Sequence, residues 1–137
     1  MKIEKKLSEN DLGRTGSHQA GILVPKQKEI LNFFPALNPK EQNPRRIIAF
    51  EDSSGRAWKF NYIYYNNRFF GGTRNEYRLT GMTKYLKESL LDPGDYVVLT
   101  KEDNKYFISN KKLDQANVSV EGDVIVIEIN DWRLIGE

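Results

Sequence analysis

Short apolar runs separated by turn-forming residues recur along this chain, and this pattern constrains its fold more than any other feature. Valine, isoleucine and aromatic residues fill the runs, while glycine, proline, asparagine and aspartate mark the connections. Two segments, 26–34 and 82–91, instead space their apolar residues as short helices on a sheet do. The pattern predicts a mainly β fold of about seven or eight short strands, arranged as a small open barrel whose ends the two helices close.

The same pattern predicts where the strands and two irregular arms lie. Strands are expected at 2–7, 18–24, 46–50, 56–65, 75–80, 96–99 and 105–109, with further strand at 118–120 and 124–129. Residues 2–7 are short enough to form an edge strand. The arms, 8–17 and 66–74, interrupt the strands. A chain of 137 residues suits a single domain that covers residues 1–137.

Charge is distributed unevenly along the chain. The formal net charge is only +2, but residues 56–87 carry seven positive side chains against one negative one. Residues 92–137 carry ten acidic side chains against five basic ones. A basic surface beside an acidic one orients a polyanion and keeps it off the wrong face. The distribution therefore favours a nucleic-acid partner for the basic part.

The composition argues against several classes of protein. There is no cysteine and His18 is the single histidine, so neither disulfides nor a conventional zinc site is expected. The sequence shows no signal peptide and no segment near the roughly 20 apolar residues of a membrane span. No acidic–lysine cluster indicates a metal-dependent nuclease site, and no serine lies on a nucleophile elbow. We expect a soluble cytoplasmic domain without membrane partner, cofactor, metal or catalytic residue.

The segment 64–80 combines the types of side chain that can read base edges in DNA. Arg68, Arg74 and Arg78 surround a pair of glycines, and Glu76 is the only acid nearby. Arginine can fork onto guanine, asparagine onto adenine, and glutamate can accept from the cytosine amino group. Because side chains alternate along a strand, Arg74, Glu76 and Arg78 are expected on one face. That row can be a structural ladder of ion pairs, or a surface that reads DNA while Glu76 orients the arginines.

Other residues of this arm complete the predicted contact. The polar ones expected to bind DNA are Asn66, Thr73 and Asn75. The aromatic ones, expected to pack in the core or at the base of the arm, are Tyr62, Tyr64, Tyr65, Phe69 and Phe70. Exposed aromatic residues would instead favour single strands.

The first arm supplies a second set of hydrogen-bond donors. Its two glycines allow a tight path close to a backbone. The donors predicted to bind DNA are Arg14, Thr15, Ser17, His18 and Gln19, and Lys5 just before the arm is expected to contact phosphate. A plain solvated glycine turn is the alternative interpretation of this arm.

Together the two arms resemble a known family of DNA-binding domains. The motifs are Ser8-x-x-Asp11-x-Gly13-x-Thr15-Gly16-x-His18-Gln19-x-Gly21 and Tyr64-Tyr65-Asn66-x-Arg68-x-Phe70-Gly71-x-Thr73-Arg74-Asn75-Glu76-x-Arg78-x-Thr80. They resemble the N-terminal effector-binding domain of EcoRII-type restriction endonucleases. The resemblance implies a DNA-binding pseudobarrel shared with plant B-three transcription factors, in which two arms grip the duplex from the major-groove side. It also implies double-stranded CC(A/T)GG as the effector target, and a separate magnesium-dependent nuclease domain in the same parent chain.

The resemblance also assigns residues to the DNA cleft. By residue match these are His18, Arg74, Glu76 and Arg78, and Lys5, Arg14 and Arg68 join them on chemistry and position. The chain departs from the family pattern at four positions: Gly72 and Tyr77 replace lysines, Leu23 replaces a tyrosine, and Arg14 replaces a small residue.

Three competing functions stay open at this point. The chain could cleave DNA itself, it could be a stand-alone transcription factor or regulator, or its basic arms could bind an acidic protein. The missing acidic–lysine constellation argues against the first. We expect a monomeric recognition domain cut from a larger restriction endonuclease.

Overall fold

β-Strands dominate the computed structural model, which describes residues 1–14, 21–113 and 125–136. The strands are β1 (Lys2–Lys6), β2 (Ile22–Val24), β3 (Arg45–Glu51), β4 (Ala57–Tyr65), β5 (Glu76–Thr80), β6 (Tyr96–Glu102), β7 (Lys105–Lys111), β8 (Ile125–Ile129) and β9 (Trp132–Gly136). The helices are α1 (Lys28–Leu31) and α2 (Thr83–Glu88), and a 3-10 turn covers Asn67–Phe70. The mainly β prediction with two short helices is confirmed, with slightly more strands than expected.

All nine strands belong to one curled sheet. Their order is β2-β5-β4-β3-β7-β6-β1-β9-β8. Every neighbouring pair is antiparallel except β3 and β7, which run parallel through only two residue pairs. The indole N–H of Trp132 in β9 donates to the carbonyl of Leu23 in β2, at 3.0 Å. Since β2 begins the strand order and β9 is next to its end, this contact joins the two sides of an open half-barrel.

The core follows from alternation along the strands. In β4, Trp58, Phe60 and Tyr62 are buried, while Lys59 between them is exposed. A strand with this period of two buries one face and leaves the other outside. The helices add to the same core: Phe34, after α1, stacks on Tyr62, and Tyr85 of α2 contacts Trp58 edge to face.

A fully buried carboxylate lies away from the arms, on β1. Glu4 is 0% exposed and forms ion pairs with Lys111 of β7 and Arg133 of β9. The Arg133 guanidinium also lies 4.4 Å from the centre of the Tyr96 ring. Strands β1, β7 and β9 thus meet around one carboxylate. Removing the carboxylate or either cation would leave a poorly solvated charge without its partner.

Two features of the fold differ from the sequence predictions. Strand β1 was predicted at an edge, but it pairs with β6 on one side and β9 on the other. Strand β9 was not predicted at all. Asn130 and Asp131 adopt positive φ angles of 47° and 65° and make the tight hairpin that returns the chain into β9. The strands expected at 18–20 and 118–120 lie outside the described residues.

No helix among the described residues is long and apolar enough to cross a membrane.

Candidate nucleic-acid interface

The outward face of β5 carries the predicted row of charged residues. Leu79 is fully buried, so its side of β5 faces the core, and Glu76 and Arg78 project from the opposite side. In register, Arg78 lies between Leu23 of β2 and Ile63 of β4. The row therefore has a rigid strand beneath it and a strand on each side.

Glu76 holds both neighbouring arginines by its carboxylate. Arg74 donates from Nε and Nη2 to Oε1, the Nε contact being 3.0 Å. Arg78 donates from Nε to Oε1 at 3.3 Å and from Nη2 to Oε2 at 3.5 Å. Among the described residues, Oε2 thus receives only one long contact. It retains the capacity to accept a further hydrogen bond.

Two physical effects act on the Glu76 carboxyl. Partial burial raises its pKa, but the hydrogen bonds and positive charges of Arg74 and Arg78 outweigh that effect and leave the pKa below its usual value. The Arg74 guanidinium also lies 3.8 Å over the centre of the Tyr65 ring, which fixes its plane. The carboxylate is ionised and the arginine is oriented before any ligand arrives.

The second arm, residues 66–75, is closed at its base by backbone hydrogen bonds. Arg68 N donates to Arg74 O at 2.9 Å, and Gly72 N donates to Asn67 O at 2.7 Å. Gly71 has a φ of 89°, a conformation that favours glycine. A Cβ on Gly72 would lie 3.1 Å from Asn67 Cγ and O, so the turn is tight at both glycines.

Several predicted contact residues lie at the surface of this arm. Arg68 and Thr73 are exposed, and Arg68 forms no ion pair with any residue that the structure describes. Asn75 is half-buried and accepts a 2.6 Å hydrogen bond from the Tyr64 hydroxyl. Whether these residues bind DNA stays a prediction.

The aromatic residues of the arm divide into two groups. Tyr62 is buried and Tyr64 stacks on Tyr77, with ring centres 4.2 Å apart, as expected for core and base packing. Phe69 and Phe70 do not pack as expected, because they are 65% and 44% exposed. The packing predicted for these two residues is therefore wrong.

The two ends of β5 have different neighbours. Gly21, just before β2, lies beside Thr80, and an added Cβ there would lie 2.8 Å from Thr80 Cγ2. The second arm enters β5 at the other end, just before Glu76. At about 3.3 Å per residue, the five residues of β5 separate Gly21 from the second arm by on the order of 17 Å.

Only the start of the first arm is described, residues 8–14. Ser8 and Asp11 cap each other, with Ser8 N donating to Asp11 Oδ2 and Asp11 N donating to Ser8 Oγ. The exposed Arg14 forms a 2.8 Å ion pair with Asp92. The other residues predicted in this arm, Thr15, Ser17, His18 and Gln19, lie outside the described residues.

Comparison with known proteins identifies the family. Residues 2–130 match the family model described as restriction endonuclease EcoRII, N-terminal. The chain belongs to this EcoRII N-terminal family. The type II restriction enzyme EcoRII of Escherichia coli is 42% identical over 84 residues, which are 56% of this chain and 19% of that enzyme. A B3 domain-containing protein of Arabidopsis thaliana is 28% identical over 130 residues, covering 85% of this chain and 42% of that protein. The chain thus spans less than half the length of either relative.

Solved structures show the same fold. The Arabidopsis FUS3–DNA complex aligns with a TM-score of 0.61 and 24% identity, covering 80% of this chain and 94% of that one. The LEC2 transcription factor–DNA complex of Arabidopsis thaliana aligns with a TM-score of 0.58 and 22% identity, covering 79% and 89%. The EcoRII N-terminal domain described here therefore has the DNA-binding pseudobarrel fold, as the resemblance predicted.

Two predicted contact residues have structural roles in this EcoRII N-terminal domain. Lys5 is 6% exposed, and its ammonium donates to Asp11 Oδ2 at 2.9 Å and to Lys6 O at 2.7 Å, so it is not presented to phosphate. Asn66 is 0% exposed and ties the arm to the preceding connection. Its amide donates to Pro39 O and Glu41 O, and its Oδ1 accepts from Asn43 N. Both side chains therefore make their hydrogen bonds within the domain.

Two residues of the site were not predicted from the sequence. Tyr65, expected only to pack, supports the Arg74 guanidinium, and Asp92 is the partner of Arg14. No local sequence pattern links Tyr65 to Arg74, and Asp92 is 78 positions from Arg14. No group of three or more metal-ligating side chains occurs within residues 1–14, 21–113 and 125–136.

Proposed function

We propose that this chain binds double-stranded DNA in a sequence-specific way, through two arms in the major groove, with CC(A/T)GG as its target. It would act as the effector-recognition domain of a type II restriction endonuclease. A separate magnesium-dependent nuclease domain would lie in the same parent chain, and this domain, residues 1–137, would bind as a monomer without a cofactor.

The observation that carries the proposal is the Arg74–Glu76–Arg78 row, in which Glu76 and Arg78 lie on β5 and Arg74 lies two residues before it. Glu76 holds both guanidinium groups by ion pairs before any ligand binds. Each arginine can fork onto O6 and N7 of a guanine, and Glu76 can accept from a cytosine amino group. The free capacity of Glu76 Oε2 fits that acceptor role, because Oε1 already receives most of the arginine contacts.

The arms supply the remaining contacts in this proposal. Arg14 and His18 of the first arm cover the other half of the site, with Thr15, Ser17 and Gln19 beside them. Arg14 can leave Asp92 at little cost, because exposed ion pairs contribute only about 0–1 kcal/mol. Arg68, Thr73 and Asn75 flank the row on the second arm.

Binding to a short CC(A/T)GG duplex and to a scrambled duplex, across a salt series and without metal, tests this function. We expect strong preference for the specific duplex, together with a steep fall in affinity as salt rises, since arginines displace counterions from phosphates. Equal, salt-sensitive binding to both duplexes would show that the arms are only a cationic clamp.

A stand-alone DNA-binding regulator is the second candidate. It is favoured by the B3 relative, whose match covers 85% of this chain where the match to the E. coli enzyme covers 56%. The full-length protein, magnesium and a plasmid with CC(A/T)GG sites separate the two. Cleavage supports the effector function, and specific binding without cleavage supports the regulator.

A further inference from the structure

Phe69 and Phe70 form an exposed aromatic pair that the fold does not explain. They are 65% and 44% exposed, and they are the exposed phenylalanines among the described residues. Fully burying a phenylalanine side chain is worth about 1.5–3 kcal/mol, and these two side chains forgo much of that gain. A contact outside the domain is the simplest use for them.

The pair is held in place rather than carried on a loose loop. Phe69 N donates to Asn66 O at 2.9 Å, within the 3-10 turn. The turn is anchored on one side by the buried Asn66 and closed on the other by the hydrogen bond from Arg68 N to Arg74 O. A surface presented on a fixed backbone loses less conformational entropy when it binds.

The surroundings of the pair fit DNA rather than a basic or neutral partner. Residues 61–75 contain no carboxylate, and the exposed Arg68 precedes Phe69 directly. Because the Arg68 and Arg74 backbones are hydrogen-bonded, the phenylalanines lie within a few residues' reach of the charged row. A ligand that touches Arg74 and Glu76 therefore lies near this turn.

We propose that Phe69 and Phe70 read the 5-methyl group of a thymine next to the bases reached by the arginines. The inference rests on the proposed DNA-binding function and adds a contact to it. A phenylalanine ring offers no hydrogen bond, so among base edges of the major groove it gains most from the thymine methyl. The target would then extend beyond the guanines and cytosines that polar side chains can distinguish.

Single replacement of thymine by deoxyuridine tests the proposal, because it removes only the methyl group. The duplexes carry CC(A/T)GG with thymines at the central pair and at two positions on each flank, each replaced in turn. We expect one replacement to weaken binding of the unchanged protein about threefold to fourfold, the effect of one buried methyl group.

The matching protein variant is Phe69→Ala/Phe70→Ala, with Leu90→Ala as the control. Leu90 is 78% exposed and follows Glu88 of α2, which pairs with Arg56 at the end of β4 opposite the second arm. We expect the double variant to bind the thymine duplex as weakly as the unchanged protein binds the sensitive deoxyuridine duplex, and to lose its sensitivity to that replacement. Leu90→Ala keeps the sensitivity, and the thermal unfolding of all three proteins is the same.

The outcomes separate failure of this inference from failure of the proposed function. If the unmodified CC(A/T)GG duplex is not preferred over a scrambled duplex, the proposed function fails. If it is preferred but every deoxyuridine duplex binds equally well, the methyl contact does not exist. Equal deoxyuridine effects in the unchanged protein and the double variant would assign the methyl contact to other residues.

Discussion

Two carboxylates of this domain each lie between two cations, and they differ in depth. Glu4 is 0% exposed between Lys111 and Arg133, whereas the Glu76 side chain is 27% exposed between Arg74 and Arg78. In each cluster a guanidinium also covers a tyrosine ring, Tyr96 in the first and Tyr65 in the second. The same charge pattern thus occurs once inside the sheet and once at its surface.

The difference in depth separates stability from recognition. A buried ion pair loses its hydration on folding, so removing one member leaves an uncompensated charge in a poorly solvated place. In the second cluster Arg74 and Glu76 are 39% and 27% exposed and keep water nearby, so Arg74 can exchange one partner for another at small cost, whereas Arg78 is only 12% exposed. Glu4 therefore fixes the position of β1 between its neighbours, while Glu76 holds one arginine that is accessible to a ligand and one that is largely covered.

The largest expected effect comes from neutralising Glu4. Glu4→Gln leaves Lys111 and Arg133 without their counter-charge, so we expect the free energy of unfolding to fall by about 3–5 kcal/mol. Chemical denaturation measures the loss. The surface control, Glu102→Gln, removes an exposed carboxylate on β6 and is expected to change little. A Glu4→Gln loss no larger than that of Glu102→Gln would contradict the structural role of the buried cluster.

The buried ion pair of Lys5 gives the next effect. Lys5→Ala leaves Asp11 buried without its cation, so we expect a loss of about 1.5–3 kcal/mol in stability, the range for hydrogen bonds to charged groups. The salt dependence of DNA binding is expected to stay unchanged, since the Lys5 ammonium is held by Asp11 and the Lys6 carbonyl. A salt slope reduced by about one, with unchanged stability, would restore the phosphate contact that the sequence suggested.

Removing an arginine of the surface cluster tests the other half of the comparison. Arg74→Ala or Arg78→Ala is expected to weaken binding to CC(A/T)GG by about 1–3 kcal/mol and to relax the preference over scrambled DNA. Arg56→Ala is the matched control, because Arg56 lies at the opposite end of β4 and pairs with Glu88. Unchanged affinity and selectivity in either test variant would remove that arginine from the reading surface.

The smallest effect is the pH dependence that Glu76 adds. Its pKa lies below the usual 4.5 in the folded domain, so its stabilisation is complete above about pH 4.5 and is lost as the pH falls through the folded value. The difference in unfolding free energy between the unchanged protein and Glu76→Gln is therefore expected to shrink between pH 7 and pH 3. A difference that grows over that range would mean that burial, rather than the arginines, dominates at this carboxyl.

Local alternation was sufficient to predict the strand part of the charged row. Residues 76 and 78 share a face because the side-chain period of a strand is two. Arg74 precedes β5 and joins them through its ion pair with Glu76. Turn residues likewise predicted most strand limits. The mainly β architecture follows from these local signals.

Contacts between distant segments were not accessible from the sequence. Asn66 was predicted to contact DNA, but its side chain hydrogen-bonds to backbone groups 23 to 27 positions away. Partners at that distance cannot be recognised from the local sequence. Lys5 pairs with Asp11 only because the first arm folds back over β1. The exposure of Phe69 and Phe70 depends on how the arm closes, which no periodic pattern of apolar residues records.

Trp132, whose indole donates a hydrogen bond to Leu23, is a fluorescent reporter of the contact between β9 and β2. Trp132 is 1% exposed, and its indole lies where β9 meets β2, the strand next to β5. Separation of these strands would admit water to the indole and shift its emission to longer wavelengths. The other tryptophan, Trp58, is hydrogen-bonded to Asp52 on a different part of the sheet. Trp58→Phe would therefore leave one fluorophore that signals whether the half-barrel opens or stays shut as a ligand enters between the arms.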